Sequence, residues 1–229
     1  TKNIIDTRSR FMFGNEPFFD IRAVGDTTQE QADEKEELLH RILEENKFHS
    51  KLLKARKDCS IGGKVAIKLW ANKDEGLRII FSPAQEFIAI YDIDDIDKLQ
   101  KVIFVYSLNI AQEKESQRIK LQTWEMTDEG ICYMNEKTCD GNGDIVSIEY
   151  EDHNTELSFV PVIIISNGGL TGETMGKSDV ELLWDNQDTY NRLTSDDIDA
   201  LRFQMFGQDV VTDATPDSIE SIQIAPGAL

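Results

Sequence analysis

The chain has 229 residues, 40% of them hydrophobic and 29% charged, with a formal net charge of −19 at pH 7. That is the composition of a folded protein, one large domain or one domain with an extension. The negative charge repels phosphates and argues against sequence-specific reading of nucleic acid, though not against a surface past which DNA slides without sticking.

Three cysteines, Cys59, Cys132 and Cys139, form no CxxC pair. Their odd number argues against a disulfide framework, so a reducing compartment is expected. The longest apolar run, Phe159 to Ile165, is far too short to span a bilayer, and no signal peptide is evident. The chain opens on Thr1 and closes on Ala225-Pro226-Gly227-Ala228-Leu229, which reads as part of a longer product.

Residues 1–25 read as a short helix or extended piece, a turn at Gly14-Asn15-Glu16-Pro17, and then a strand. Residues 28–58 read as one helix. Leu38, Leu39, Ile42, Leu43, Leu52 and Leu53 make its apolar stripe, its beginning is acidic, and Gly62-Gly63 stops it. Strands are expected at 64–71, 77–81, 87–91, 101–108, 118–126, 131–135, 145–150 and 160–165. Such an order predicts an antiparallel meander and an α+β class. A second long helix is expected from Ser178 to Phe206, capped by Ser178 with Glu181 three residues on. After Gly207, Asp209 to Val211 and Ile219 to Ile224 look like strands.

The segment 172–178, Gly-Glu-Thr-Met-Gly-Lys-Ser, imitates a phosphate-binding loop between a strand and a helix. That chemistry needs four residues between its glycines so that backbone N–H groups wrap the phosphates; here there are three, and Thr171 stands where the first glycine belongs. A structural loop is the preferred reading, and a nucleotide-binding protein using Lys177 and Ser178 is the alternative. Val65-Ala66-Ile67-Lys68 matches the kinase lysine strand without the rest of that set, and reads as an alternating strand with an exposed lysine. Asp140, Asn142, Asp144 and Glu151 have calcium-loop spacing, but Ile145 takes the glycine position. A hairpin turn is expected there, with a calcium-dependent interaction module as a third possibility. Asp92, Asp94, Asp95 and Asp97 read as a solvated turn rather than a metal site. His40, His49 and His153 lack ligand spacing, and no nucleophile triad is evident. No catalytic residue, cofactor or metal is predicted.

The order of elements carries a resemblance. Asn3-Ile4-Ile5-Asp6 with Phe11-Met12-Phe13-Gly14 opens the chain, and Phe81-Ser82-Pro83 and Ile90-Tyr91-Asp92 follow in the sheet. Val160-Pro161-Val162 with Asn167 comes next, then Gly176-x-Ser178-Asp179-Val180-Glu181 before a helix holding Asp188-x-Tyr190-Asn191-x-Leu193 and Ser195-x-Asp197. This resembles the portal proteins of tailed bacteriophages, in the large siphophage portal family. The resemblance implies a non-enzymatic virion protein with an antiparallel-sheet wing domain over 1–177, a stem helix over 178–206 and the start of a β clip segment over 207–229. The second stem helix, tunnel loop and crown would follow Leu229. The family forms a homo-oligomeric ring, usually of twelve subunits, at one capsid vertex. It is the conduit for genome packaging and ejection. The implied partners are terminase, head-completion or adaptor proteins, the major capsid and scaffold proteins, and double-stranded DNA passing non-specifically. The implied localisation is the virion, after assembly in the host cytoplasm. ATP hydrolysis belongs to the terminase.

In such a ring, Asp185, Asp188, Asp196, Asp197 and Asp199 are candidates for a channel-facing acidic surface, and read equally well as ordinary solvated residues. Val180, Leu183, Trp184, Ile198 and Leu201 are candidates for subunit packing, because a projecting helix must bury its apolar stripe somewhere.

Overall fold

A computed structural model describes residues 2–25, 27–72, 76–109, 116–169 and 172–205. The chain divides into two units, Thr1–Val180 and Glu181–Leu229. The expected strands after Gly207 lie outside the described residues.

The first unit is built in three layers. Three helices come first: α1 (Lys2–Phe13), α2 (Gln29–Glu45) and α3 (Phe48–Gly62). Eight strands follow: β1 (Lys64–Asn72), β2 (Gly76–Pro83), β3 (Phe87–Tyr91), β4 (Leu99–Asn109), β5 (Arg118–Met126), β6 (Cys132–Cys139), β7 (Ile145–Asn154) and β8 (Val162–Ser166). All eight coincide with expected strands, and every recorded pairing is antiparallel.

They do not make one meander. Strands β3 to β7 form a five-stranded sheet in chain order, while β8 returns to pair with β1 in a separate sheet of order β2-β1-β8. The return places Val65 opposite Ile165 and Ile67 opposite Ile163.

Strand β1 sits between two hydrophobic clusters because its side chains alternate. Val65 faces α3 and packs with Ala55, Cys59 and Phe81. Ala66 faces the five-stranded sheet and joins Phe87, Val102, Phe104, Trp124, Met134 and Val162. Trp70, on the same side as Ala66, meets Trp124 edge-on at 5.9 Å. The helical layer docks through small residues, Ala32 and Ala55, which let helices approach closely.

The single helix expected over 28–58 is broken. Helix α2 opens with a capping box between Thr28 and Gln31 and ends at Asn46, and Lys47 takes a left-handed conformation (φ 50°) before α3 begins. The break has a long-range cause. The buried Asn46 side chain donates to Ile42 O and Leu77 O, both at 2.9 Å, and accepts from Ile79 N–H at 2.8 Å. An unbroken helix would forfeit that staple to β2, and buried polar groups left unpaired are costly. The strand expected before residue 25 is also absent, since the described residues after α1 are irregular to Val24.

In the second unit the described residues form α4, Glu181–Met205. The helix starts three residues later than expected. The Ser178 hydroxyl accepts from Val180 N–H at 3.1 Å, a local turn rather than the N-cap of a capping box.

Candidate functional site

The end of the segment that imitates a phosphate loop, Gly176 to Ser178, is tied into the fold. Asn167, just after β8, is its hub. Its N–H donates to Gly63 O (2.7 Å) and its carbonyl accepts from Lys177 N–H (2.9 Å). Its Nδ2 donates to Lys177 O (2.8 Å) and Asp179 Oδ1 (3.0 Å), and its Oδ1 accepts from Arg56 Nη1 (2.9 Å). Beyond it, Asp179 N–H donates to Ser60 O at 2.8 Å, and the Asp179 carboxylate pairs with Arg8 at 2.7 Å. Helices α1 and α3, strand β8 and the chain entering α4 therefore meet in one clasp.

Glycine is required at this crossing for a reason unrelated to phosphate. Gly63 caps α3 in the left-handed region (φ 79°), and a Cβ there would lie 2.6 Å from Gly176 O. A Cβ on Gly176 would collide with Gly63 O and come within 2.7 Å of Asn167 N. The Lys177 N–H is already bonded to Asn167, and the Ser178 hydroxyl lies within hydrogen-bond distance of Ser60 O and Val180 N–H. Two of the groups the nucleotide alternative would use, the Lys177 N–H and the Ser178 hydroxyl, are thus engaged inside the protein. Burial works against the Asp179 charge, but the bonds from Asn167 and Arg8 outweigh it and hold the carboxyl below its ordinary pKa.

Lys68 departs from expectation: it is 3% exposed rather than surface-directed. It shares the inward side of β1 with Ala66 and Trp70. Its Nζ donates to Gln122 Oε1 (2.5 Å) and the Tyr106 hydroxyl (3.0 Å), and lies 4.6 Å from the Phe104 ring centre. Gln122 in turn donates to Glu136 Oε2 at 2.6 Å, and Lys120 pairs with Glu136 at 2.6 Å. Burial lowers the Lys68 pKa to about 8, against a partial pull upward from Glu136. Nothing in β1 alone signalled this network, because its partners lie on β4, β5 and β6.

The other acidic motifs are turns. Asp140 Oδ1 accepts from Asn142 N–H and Asp144 N–H, both at 2.9 Å, closing the β6–β7 hairpin. Those bonds hold the Asp140 carboxyl below its usual range. Asp92 accepts from Asp94 N–H and Gln100, and Asp95 from Asp97 N–H. Among the described residues no three His, Cys, Asp or Glu side chains are grouped to hold a metal ion. His49 bonds Phe13 O at 2.8 Å, and the three cysteines are buried and free.

On α4 all five singled-out aspartates are exposed. At about 100° per residue, Asp185, Asp188, Asp196 and Asp199 fall within an arc of about 80°, while Asp197 falls outside it. Asp188 pairs with Arg192 at 2.8 Å and Asp199 with Arg202 at 3.2 Å. Leu183, Ile198 and Leu201 lie on the opposite side of the helix, with Trp184 at its margin. Ile198 and Leu201 are exposed and Trp184 is 69% exposed, whereas Leu183 and Val180 are half-buried. No described helix is long and apolar enough to cross a membrane.

The sequence matches the family described as "Phage portal protein, SPP1 Gp6-like" over residues 1–212. Comparison with curated proteins gives no match. The family match spans the layered unit, the clasp and α4 together, and the chain belongs to the phage portal protein family, structural proteins of the virion capsid that work as oligomeric assemblies.

Proposed function

We propose that this chain is the subunit of a homo-oligomeric portal ring at one capsid vertex, most simply of twelve copies, through which the genome is packaged and ejected. Residues 1–177 act as the wing, 178–206 as a stem helix beside the channel, and 207–229 as the start of the clip. The observation that carries this reading is the two-sided character of α4: four aspartates on one side, exposed apolar residues on the other.

A helix of that kind suits a ring wall. The apolar side, with Ile198 and Leu201, packs against neighbouring subunits, which removes it from water. Asp185, Asp188, Asp196 and Asp199 then face the channel, where carboxylates repel phosphates and let duplex DNA pass without sticking. Terminase, head-completion or adaptor proteins, scaffold and major capsid protein are the partners of such a ring, which assembles in the host cytoplasm. The chain itself carries out no chemistry in this role, and nucleotide hydrolysis belongs to the docked motor.

Negative-stain electron microscopy of the full-length gene product, with mass photometry on the same sample, tests the proposal. Rings with a central hole are the expected result. Particles that stay monomeric at every concentration and salt, with scaffold supplied, would sink it.

A further inference from the structure

The five-stranded sheet has a second face. One side of it, with Phe87, Val102, Phe104 and Trp124, forms the core against β1 and β8. The residues one step out of phase point the other way. Strand register sets Ile88 opposite Ile103, Val105 opposite Leu121, and Ile148 opposite Lys137, with Leu121 and Lys137 also opposite each other. An aliphatic surface thus spans β3, β4 and β5 and resumes at β7, with Lys137 standing between on β6. Ile88 is 58% exposed and Ile148 53%, and the central members are half-buried among themselves. With strands about 4.8 Å apart and about 3.3 Å per residue, the face covers roughly 400 Å². That is about half of what one partner contributes to a specific protein interface of about 800 Å² per side.

Lys137 stands in the middle of this surface and has no ion pair among the described residues. On the same outer face, Lys101 is matched to Glu125 at 2.7 Å. The opposite side of the unit, beyond the β2-β1-β8 sheet, shows the complementary pattern. Helix α2 buries Ala32 and turns Glu30, Glu34, Glu37 and Glu45 outward, with Leu38 (46% exposed) and a single cation, Arg41, among them.

We propose that the outer face of the five-stranded sheet docks against α2 of a second copy of this chain. Leu38 of one copy seats among the aliphatic side chains of the next, and a carboxylate from Glu34 or Glu37 meets Lys137. A closed ring requires two different surfaces on each subunit, one meeting the other head to tail. The layered unit provides such a pair on its two opposite sides, one aliphatic with an unmatched cation, the other acidic with an exposed leucine. The inference rests on the ring reading above and adds which faces of the layered unit meet.

The test uses the full-length gene product, with rings counted by electron microscopy and mass photometry. Lys137→Glu is expected to lower the ring fraction about tenfold, as loss of a close interfacial charge pair does, and Glu34→Lys with Glu37→Lys is expected to restore it. Leu38→Cys combined with Leu121→Cys should give a ladder of covalent multimers on oxidation, absent from either single variant. Circular dichroism and melting of each variant separate lost assembly from lost fold. Rings at wild-type level in Lys137→Glu and in Leu121→Glu would overturn the docking and leave the ring reading standing. An assembly defect that the charge swap fails to repair, without the cross-link, would mean that another partner covers the face, and also overturns it. Wild-type protein that forms no rings would remove both proposals together.

Discussion

Helices α3 and α4 are both amphipathic, yet they treat their apolar sides in opposite ways. Helix α3 lays Ala55 and Cys59 onto Val65 and Phe81, and all four are removed or partly removed from water. Helix α4 leaves Trp184, Ile198 and Leu201 exposed. Burying an aliphatic side chain is worth about 1.5–3 kcal/mol, so a helix that leaves several exposed forgoes a large stabilisation within its own chain. The contrast teaches that α3 belongs to the fold, and it is what the proposed assembly role of α4 rests on.

The sharpest way to break this comparison is to place a charge on each helix. Ala55→Asp puts a carboxylate into the cluster around Cys59 and Val65, and should cost about 4 kcal/mol, enough to unfold most of the protein. Leu201→Asp should change stability by no more than about 0.5 kcal/mol while abolishing rings. Thermal unfolding and mass photometry read the two effects separately. Equal loss of stability in both variants would show that α4 is part of the core after all.

Next in size is the clasp. Gly176→Ala forces a Cβ against the Gly63 carbonyl, and both sides of that crossing are backbone, which cannot yield as a flexible side chain would. A cost of about 3 kcal/mol is expected. Gly172→Ala, where no atom lies within 4 Å of the added Cβ, meets no clash and strains only its left-handed backbone (φ 90°). Its cost should be about 1 kcal/mol. Urea unfolding of the two variants side by side checks the order. The reverse order would return the loop to consideration as a ligand cradle rather than a packed crossing.

A smaller effect follows from Asp179. Replacing it by Asn removes the charge that Arg8 and Asn167 stabilise, at a cost of about 1–2 kcal/mol near neutral pH. The Asp179 pKa is lowered in the folded state, so its contribution is present above the ordinary carboxylate range and fades as pH falls through the folded value. The stability difference between wild type and Asp179→Asn should therefore shrink as the solution is acidified toward pH 3. A difference that stays constant down to that pH would rule out the charge as its source.

How much of this was legible depended on whether the signal was local. The eight strands were readable because Val65-x-Ile67-x-Leu69 and similar runs alternate on the two-residue period of a strand. The sheet order was not, since nothing in Val162–Ser166 says that it returns to β1 rather than continuing beside β7. The break at Lys47 was hidden because its cause is Asn46 bonding to β2, some thirty residues away. The loop at 172–178 was read as structural from its spacing, a reading the bonds of Lys177 and Ser178 fit, but its hub, Asn167, was visible only as a residue of the family pattern. Asp185 to Asp199 were readable as a set, and the helical geometry then separates Asp197 from the rest. Lys68 was misjudged: its parity with Ala66 and Trp70 placed it inside, and only the composition of the four-residue motif suggested otherwise.

Lys68 also gives the finest test of the contrast between satisfied and unsatisfied surfaces. Its folded pKa is about 8 because burial disfavours the ammonium, while an unfolded lysine titrates near 10.4. Between those values the unfolded chain binds more protons than the folded one, so stability attributable to this group rises with pH. At pH 7 the charge is retained in the interior at a cost, held by Gln122, Tyr106 and the rings beneath it. Raising the pH from 7.5 to 9.5 relieves that cost. Relative to a Lys68→Met variant, wild type should become progressively more stable across this window, and the two urea midpoints should diverge in that direction. The comparison cancels groups that titrate there without touching Lys68, and Tyr106, which does touch it, has its pKa raised by burial and so keeps its proton over most of the window. Parallel midpoints across the window would mean that Lys68 keeps an ordinary pKa, and that water reaches it between the sheets.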